Sequence, residues 1–445
     1  MTSPKTAPPN KISDVNKAEL VDKLIAAKLA NADTSKISEF RKTLEKAYPY
    51  QRYFDNFSAA LEAPNDFCQR QLQDELQNKY NLRLNVKSLI KLQPRTSTSN
   101  ASHTYNLLQA AMLNFTDNEV ASHYFSDDSE LLADAQDTPD DGRANVKITA
   151  QQFAAMSRTL DLGNQYQNHL SRTFNVGSVQ LNAMRLAKLN MKLAAYTKYF
   201  SNDIHQSLWL MLTNLTRGLE DISNGDIFQN GPIQLYSVQL FRKYLVDAVL
   251  IVCRLTDQST QDRYLLYVPN DTGPGFYHSH DEYNCRVSLT VNLLGESPLR
   301  KLFASRLNKT DQGFLTSQLS SISFKDDITF HPLKQKLFKY IANRPLDTFF
   351  TNVRQCAVPV ADINQSIHDK RRENPELHQR WALSESLTDD FSKRLRTYAP
   401  DALISEVFTG VENWASSEKL KALHQLLDLK ENPTSSADGE PTPSL

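Results

Sequence analysis

The chain has 445 residues, of which 40% are hydrophobic, 23% are charged and only 12 are glycine. Such a composition can bury a core, in two or three domains or one long helical body, and its glycine scarcity argues against a barrel, a sandwich or a nucleotide-binding sheet rich in tight turns. Fifty Lys and Arg against 51 Asp and Glu leave a net charge of −1, so no global field draws the chain to nucleic acid or to an anionic membrane.

The opening residues, MTSPKTAPPNKISD, are rich in Pro and Thr and lack an apolar h-region. Residues 1–13 are therefore read as disordered, with no cleavable signal peptide. From residue 14 the period is helical. In NKAELVDKLIAAKLANA, Leu20, Leu24, Ile25 and Leu29 fall near one face, and FCQRQLQDELQNKYNL and TYNLLQAAMLNF continue the pattern. The run SDDSELLADAQDTPDD breaks it with seven acids and no base, as a solvated surface loop does.

Helix resumes near Thr149, which with Gln152 forms a capping box ahead of AQQFAAMSRTL. RTLDLGNQYQNHL, residues 158–170, then interrupts the pattern. It reads as a corner between two helices, with Gly163 in the left-handed conformation that closes the first and Tyr166 and Leu170 on one face of the second. The next helix carries Leu181, Met184, Leu186, Leu189, Met191 and Leu193 on more than one side, which predicts burial between other elements. The longest apolar window, Leu208 to Leu215, is too short to cross a bilayer.

At about residue 244 the period changes. YLVDAVLIVCRLT and RYLLYVP are β-branched and aromatic runs that predict a hairpin ending at Pro269, followed by the turn-rich NDTGPG. Residues 280–430 return to helix in SPLRKLFASRL, LKQKLFKYIA and KLKALHQLLDL, and 431–445 form a disordered tail. The fold class expected is therefore mainly α: an elongated multi-helix bundle in a body spanning 14–430. Its helical parts are 14–243 and 280–430, with a small β-hairpin insertion near 245–270 and a turn to 279.

Motifs for hydrolase elbows, phosphate loops, dinucleotide turns and zinc helices do not occur. Cys68, Cys253, Cys285 and Cys356 lie far apart with no C-x-x-C pair, which argues against a disulfide framework and a cysteine zinc site. The chemistry-bearing cluster is FYHSHDEYN, where His278 and His280 would share one side of a strand and, with Asp281, offer metal ligands or an acid–base group. The competing reading makes Ser279 and Glu282 a capping box that starts a helix. Cys253 is a candidate nucleophile that the apolar run around it would instead bury as core. Tyr166 and His169 are candidate ligand contacts on the corner helix. The basic stretch HDKRREN reads as a solvated helix face, and Trp209, Trp381 and Trp414 read as core. No metal site and no cofactor are expected.

LLQAAMLNFTDNEV, ITAQQFAAMSRTLDLGNQYQNHL, YLLYVPND with SHDEYN, LFASRL and CAVPVADIN, in that order, resemble one family. It is the large helical N-terminal domain of the dermonecrotic-toxin-like proteins of pseudomonads and related bacteria. The similarity covers roughly residues 40 to 390 and is most specific in LDLGNQYQNHL and YVPND. The resemblance implies a bacterial toxin or secreted effector, made in the bacterial cytoplasm and delivered into a target cell. In larger members this domain precedes other modules, such as leucine-rich repeats with a ligase domain; here the chain passes into its Pro/Ser/Thr tail, and no such module is expected. The resemblance carries over no catalytic residue. The function it implies is a non-catalytic module that serves delivery or binds a target-cell protein or membrane lipid, with a secretion chaperone or a downstream toxin module as further partners. The alternatives are an enzyme effector with its pocket near 245–285, and an acid-triggered membrane-inserting module drawing on the helices between Leu181 and Leu215.

Overall fold

The computed structural model describes residues 34–363, apart from intervening stretches of which 96–102, 133–147, 255–261, 270–274 and 307–316 are the longest, together with residues 387–392. The expected N-terminal and C-terminal disorder, the helices over NKAELVDKLIAAKLANA and KLKALHQLLDL, the HDKRREN face, Trp381 and Trp414 lie outside the described residues.

The helical body begins with α1 (Thr34–Ala60), whose Ile37, Phe40, Leu44, Ala47 and Phe54 recur at helical spacing and are buried. α2 (Pro64–Tyr80) starts on a proline, whose missing N–H costs nothing at that position, and stops at Asn81 in the left-handed region (φ 52°). Three short strands follow where only helix and loop were expected: β1 (Leu89–Leu92), β2 (His103–Asn106) and β3 (Glu130–Leu132), antiparallel in the order β2-β1-β3. β2 shows why the reading failed. TYNLLQAAMLNF runs from strand into helix without a break in hydrophobicity, and the switch falls at Asn106, whose side chain caps α3 (Leu107–Leu113) by accepting from the Gln109 N–H. β3 lies inside the acidic run, most of which is outside the described residues.

α4 (Asp117–Val120) has a Thr116/Glu119 capping box, and α5 (Ala150–Leu160) has the Thr149/Gln152 box read from the sequence. α6 (Leu162–Thr173), α7 (Val176–Phe200) and α8 (Gln206–Leu215) complete the first body. A two-stranded ribbon of β4 (Ile227–Phe228) and β5 (Gly231–Pro232) leads out of it.

The expected hairpin is the centre of something larger. β6 (Gln234–Leu240), β7 (Tyr244–Arg254), β8 (Asp262–Tyr267), β9 (Phe276–Ser279) and, after α9 (Glu282–Leu294) and α10 (Pro298–Arg306), β10 (Ile328–Pro332) form one antiparallel sheet in the order β10-β6-β7-β8-β9. A small hairpin insertion is thus corrected to a five-stranded sheet. The predicted β7–β8 pair is present, but its neighbours are short strands set among helical sequence. α11 (Leu337–Cys356) closes the fold.

Both faces of the sheet are covered, which is why its central strands read as continuous apolar runs rather than alternating ones. Leu235, Val249, Ile251, Cys253 and Leu265 pack with residues of α7, α8 and α11. Val238, Val246, Leu250, Val252 and Leu266 pack with residues of α9 and α10. α7 serves two cores: Ala183, Leu186, Tyr196 and Phe200 belong to the helical body, and Met191 and Ala195 to the sheet interface. That double duty explains its apolar residues on several sides, although Leu181 is exposed. Residues 387–392 dock on the same body, with Phe391 stacked on Phe349 at 4.1 Å between ring centroids. Trp209 packs half-buried against Tyr196 and Tyr199.

The corner at 158–170 exists, but by another device than the one expected. The left-handed residue is Asp161 (φ 45°), not Gly163, which lies inside α6. Asp161 Oδ1 accepts from the Asn164 N–H (3.3 Å), from the Val360 N–H (3.0 Å) and from Asn114 Nδ2 (3.4 Å). Asn114 Nδ2 also donates to the Val358 carbonyl, whose own N–H donates to Met112. Gly163 is where the chain passes close: a Cβ there would lie 2.3 Å from Pro359 N and from Val358 C. The ends of LLQAAMLN, LDLG and CAVPV therefore meet at one knot. Asp161→Ala removes the shared acceptor and puts an alanine in the left-handed region, so it should lower stability by about 2–3 kcal/mol in urea unfolding, while Asp161→Asn should lose less than half of that. Equal losses for the two variants would rule out the side-chain oxygen as the cause.

Candidate functional site

β9 carries the expected histidines to the edge of the sheet. His278 and His280 are both exposed, with ring centroids 5.5 Å apart, so the strand spacing does bring them together. His280 Nδ1 receives a short hydrogen bond from the Arg263 guanidinium. Asp281 is spent locally: it is the N-cap of α9, accepting from Asn284 N and Asn284 Nδ2, each at 2.7 Å. The helix start was legible, but the cap sits two residues later than Ser279. The turn after Pro269 leads first into β9, and Ser279 is that strand's buried last residue. Glu282 pairs with Arg286 one turn along α9. Among the described residues no group of three or more His, Cys, Asp or Glu is placed to hold a metal ion.

Cys253 is 2% exposed in β7 and faces the α7–α8–α11 side of the sheet. Cys68, Cys285 and Cys356 are buried as well. Burial, helped by the Glu282 carboxylate, pushes the Cys285 thiol up to about 12, and burial with Glu62 raises Cys68 further. Thiolate is the reactive form, so these groups are poor nucleophiles. Tyr166 is fully buried and its hydroxyl donates to the Glu62 carbonyl at 2.7 Å. His169 stacks on it and on Phe67, with centroids 5.9 Å and 4.8 Å apart. These two candidates form a wedge between α2 and α6, and the Tyr166 hydroxyl is turned onto protein backbone.

Buried phenols and thiols of this kind set the alkaline limit of the fold. Burial raises Tyr166 and Tyr267, and raises Tyr340 to about 12. The unfolded chain releases these protons near the ordinary 9.0 of a thiol and 10.0 of a phenol, while the folded chain retains them. The stability is therefore fully present below pH 9 and is lost as pH rises through the folded values. Tyrosinate absorbance should show a cooperative late step that coincides with loss of circular dichroism above about pH 10. In the same assay at pH 8, a thiol reagent should modify the four cysteines only after denaturation. Rapid labelling of the native chain would overturn the assignment.

The built site lies elsewhere, where the sheet register slips. β6 and β7 pair Ser237 with Val249 and Val238 with Val246, so Asp247 and Ala248 are extra residues on β7. This bulge turns Asp247, the lone acid of YLVDAVLIVCR, away from the strand ladder towards α11. Its Oδ1 lies 3.4 Å from Arg344 Nε. Its carbonyl accepts from Arg306 at the end of α10 (2.7 Å), and Arg306 also donates to the Pro269 carbonyl at the end of β8. Arg306 is 4% exposed, and its guanidinium clips the bulge to the neighbouring strand end. In α11, Pro345 removes the N–H that would bond the Ile341 carbonyl, and the helix passes the bulge at that point.

Between these parts lies a cavity of about 120 Å³. Its walls are mostly apolar (Phe54, Leu186, Leu302, Ile341), and Asn190, Asp247, Tyr267 and Arg306 supply the polar lining. The two full charges of the lining have opposite sign. Ser305 also lines it, but its hydroxyl donates to the Leu302 carbonyl. The arrangement places charge beside a small, largely apolar volume. Sequence reading missed Asp247, Arg306 and Arg344, although one signal was present: a single acid inside an apolar β-run needs a partner.

The family model described as dermonecrotic toxin, N-terminal domain, matches residues 58–309, more than half of the chain. The match takes in the corner at Asp161 and Gly163, the bulge at Asp247, and Arg306; CAVPVADIN, which packs on Gly163, lies beyond it. A search of curated proteins finds no match.

Proposed function

The chain belongs to the dermonecrotic toxin N-terminal domain family, and from that premise we propose that it is a toxin module without chemistry of its own, serving delivery or the binding of a target-cell component. One observation carries this reading. The segments LLQAAMLN and LDLG, both within the family match, close on each other and on CAVPV in the core, through Asp161, Asn114 and Gly163. Residues used in that way specify a body rather than a reactive pocket, and the buried thiols and locally engaged Asp281 fit the same view. The component bound is a target-cell protein or membrane lipid, and delivery would involve a secretion chaperone or a separate toxin module. The near-zero net charge speaks against nucleic acid.

The test is expression of the full chain, tagged with a fluorescent protein, inside target cells. A discrete localisation with a recoverable partner supports the module reading. Diffuse, harmless expression without partners argues strongly against it.

The enzyme alternative has one observation in its favour: the cavity at Asp247 adjoins the 245–285 region. If chemistry resides there, Asp247→Asn or His280→Ala abolishes toxicity while the circular dichroism spectrum is unchanged. Full toxicity of both variants removes it. For acid-triggered insertion, no described helix is long and apolar enough to cross a membrane, so insertion would require rearrangement of α7 and α8. Dye release from anionic liposomes between pH 7 and pH 4 decides that reading.

A further inference from the structure

The cavity behind the β7 bulge has the build of a ligand site, and its occupant can be narrowed by size and charge. Its volume of about 120 Å³ is slightly below that of engineered apolar cavities that take up benzene, so it fits a body of roughly five to seven heavy atoms. Helices α1, α7 and α11 supply apolar walls through Phe54, Ala183, Leu186, Ile341 and Ala342. One polar group is left over. Tyr267 is 3% exposed and lines the cavity, and its hydroxyl makes no hydrogen bond to any described residue. A ligand in the cavity that carries a hydroxyl can exchange a hydrogen bond with it.

Charge narrows the class. Arg306 and Asp247 contribute one positive and one negative charge to the lining, and Arg306 is already engaged by the Asp247 and Pro269 carbonyls. An ionic guest would bring an uncompensated charge into this volume, whereas a neutral guest would not. We propose that the cavity formed by the β7 bulge, α7, α10 and α11 binds a small neutral molecule with an apolar body and one hydroxyl-type end, which exchanges a hydrogen bond with Tyr267. The inference does not depend on whether the chain is catalytic.

Ligand-observed NMR on the full chain tests it, with cyclopentanol and phenol as neutral probes and cyclopentylammonium and butyrate as charged ones of similar size. Saturable binding of the neutral probes is expected, with the charged probes at least about tenfold weaker. Tyr267→Phe keeps the ring and should weaken cyclopentanol about fivefold, the worth of one hydrogen bond. Ala187→Leu fills the volume and should abolish binding; if that variant does not fold, the isosteric Tyr267→Phe comparison decides alone. No saturable binding of either neutral probe overturns the site. Charged probes binding as well as neutral ones, or cyclopentanol binding unchanged by Tyr267→Phe, overturns the assigned chemistry.

Discussion

Gly163→Ala is expected to destabilise the protein by roughly 3–5 kcal/mol, although the same change inside an ordinary helix stabilises by up to about 1 kcal/mol. The reversal of sign is the informative part. Gly163 sits in α6 with helical geometry, so alanine's backbone preference is satisfied there. The obstacle is the main chain of Val358 and Pro359, 2.3 Å from where the methyl group would be, and backbone cannot rotate aside as a side chain can. The Val358–Val360 segment would have to lift, breaking the Val358 to Met112 hydrogen bond and the one from Val360 to Asp161. Urea unfolding of Gly163→Ala beside Asn164→Ala, an exposed neighbour, measures this directly. A loss below 1 kcal/mol for Gly163→Ala would mean that the two segments do not touch.

Arg306→Ala should cost a similar amount, about 3–5 kcal/mol, for a different reason. The guanidinium is buried, and its fork serves two carbonyls at once, those of Asp247 in the bulge and Pro269 at the end of β8. Truncation removes a charged donor from both buried carbonyls and enlarges the neighbouring cavity. Arg306→Lys should recover only part of the loss, because one ammonium cannot reproduce a planar fork across two strands. The readouts are the denaturant midpoint together with amide exchange in β7 and β8. Wild-type protection at Val246–Val249 in Arg306→Ala would show that the clip does not hold the bulge.

Together these expectations separate what could be read in one dimension from what could not. The 3.6-residue period identified the helices that bury one stripe, among them α5 with its Thr149/Gln152 box, because those signals are local. The β-branched run identified β7 and β8 for the same reason. β1, β2, β6 and β10 were hidden because short strands take their identity from their partners. Of the site candidates, His278 and His280 were correctly placed side by side, since alternation along a strand is local too. Asp281 and Tyr166, each given a structural reading beside a functional one, are engaged structurally, by the α9 N-terminus and by the Glu62 carbonyl.

By itself the sequence determined a mainly helical body with a β-rich interruption, the corner between α5 and α6, and membership of a toxin-domain family. The first two rest on spacing or composition within a few turns of chain, and the third on the resemblance of segments spread over most of the chain. Only the tertiary structure decided why Gly163 must be glycine, since its neighbour lies almost two hundred residues away and steric contact is a property of space rather than of sequence. It also decided that Asp247, Arg306 and Arg344 meet in space: a register slip between two strands turned the Asp247 carboxylate towards Arg344 and left its backbone carbonyl to be clipped by Arg306.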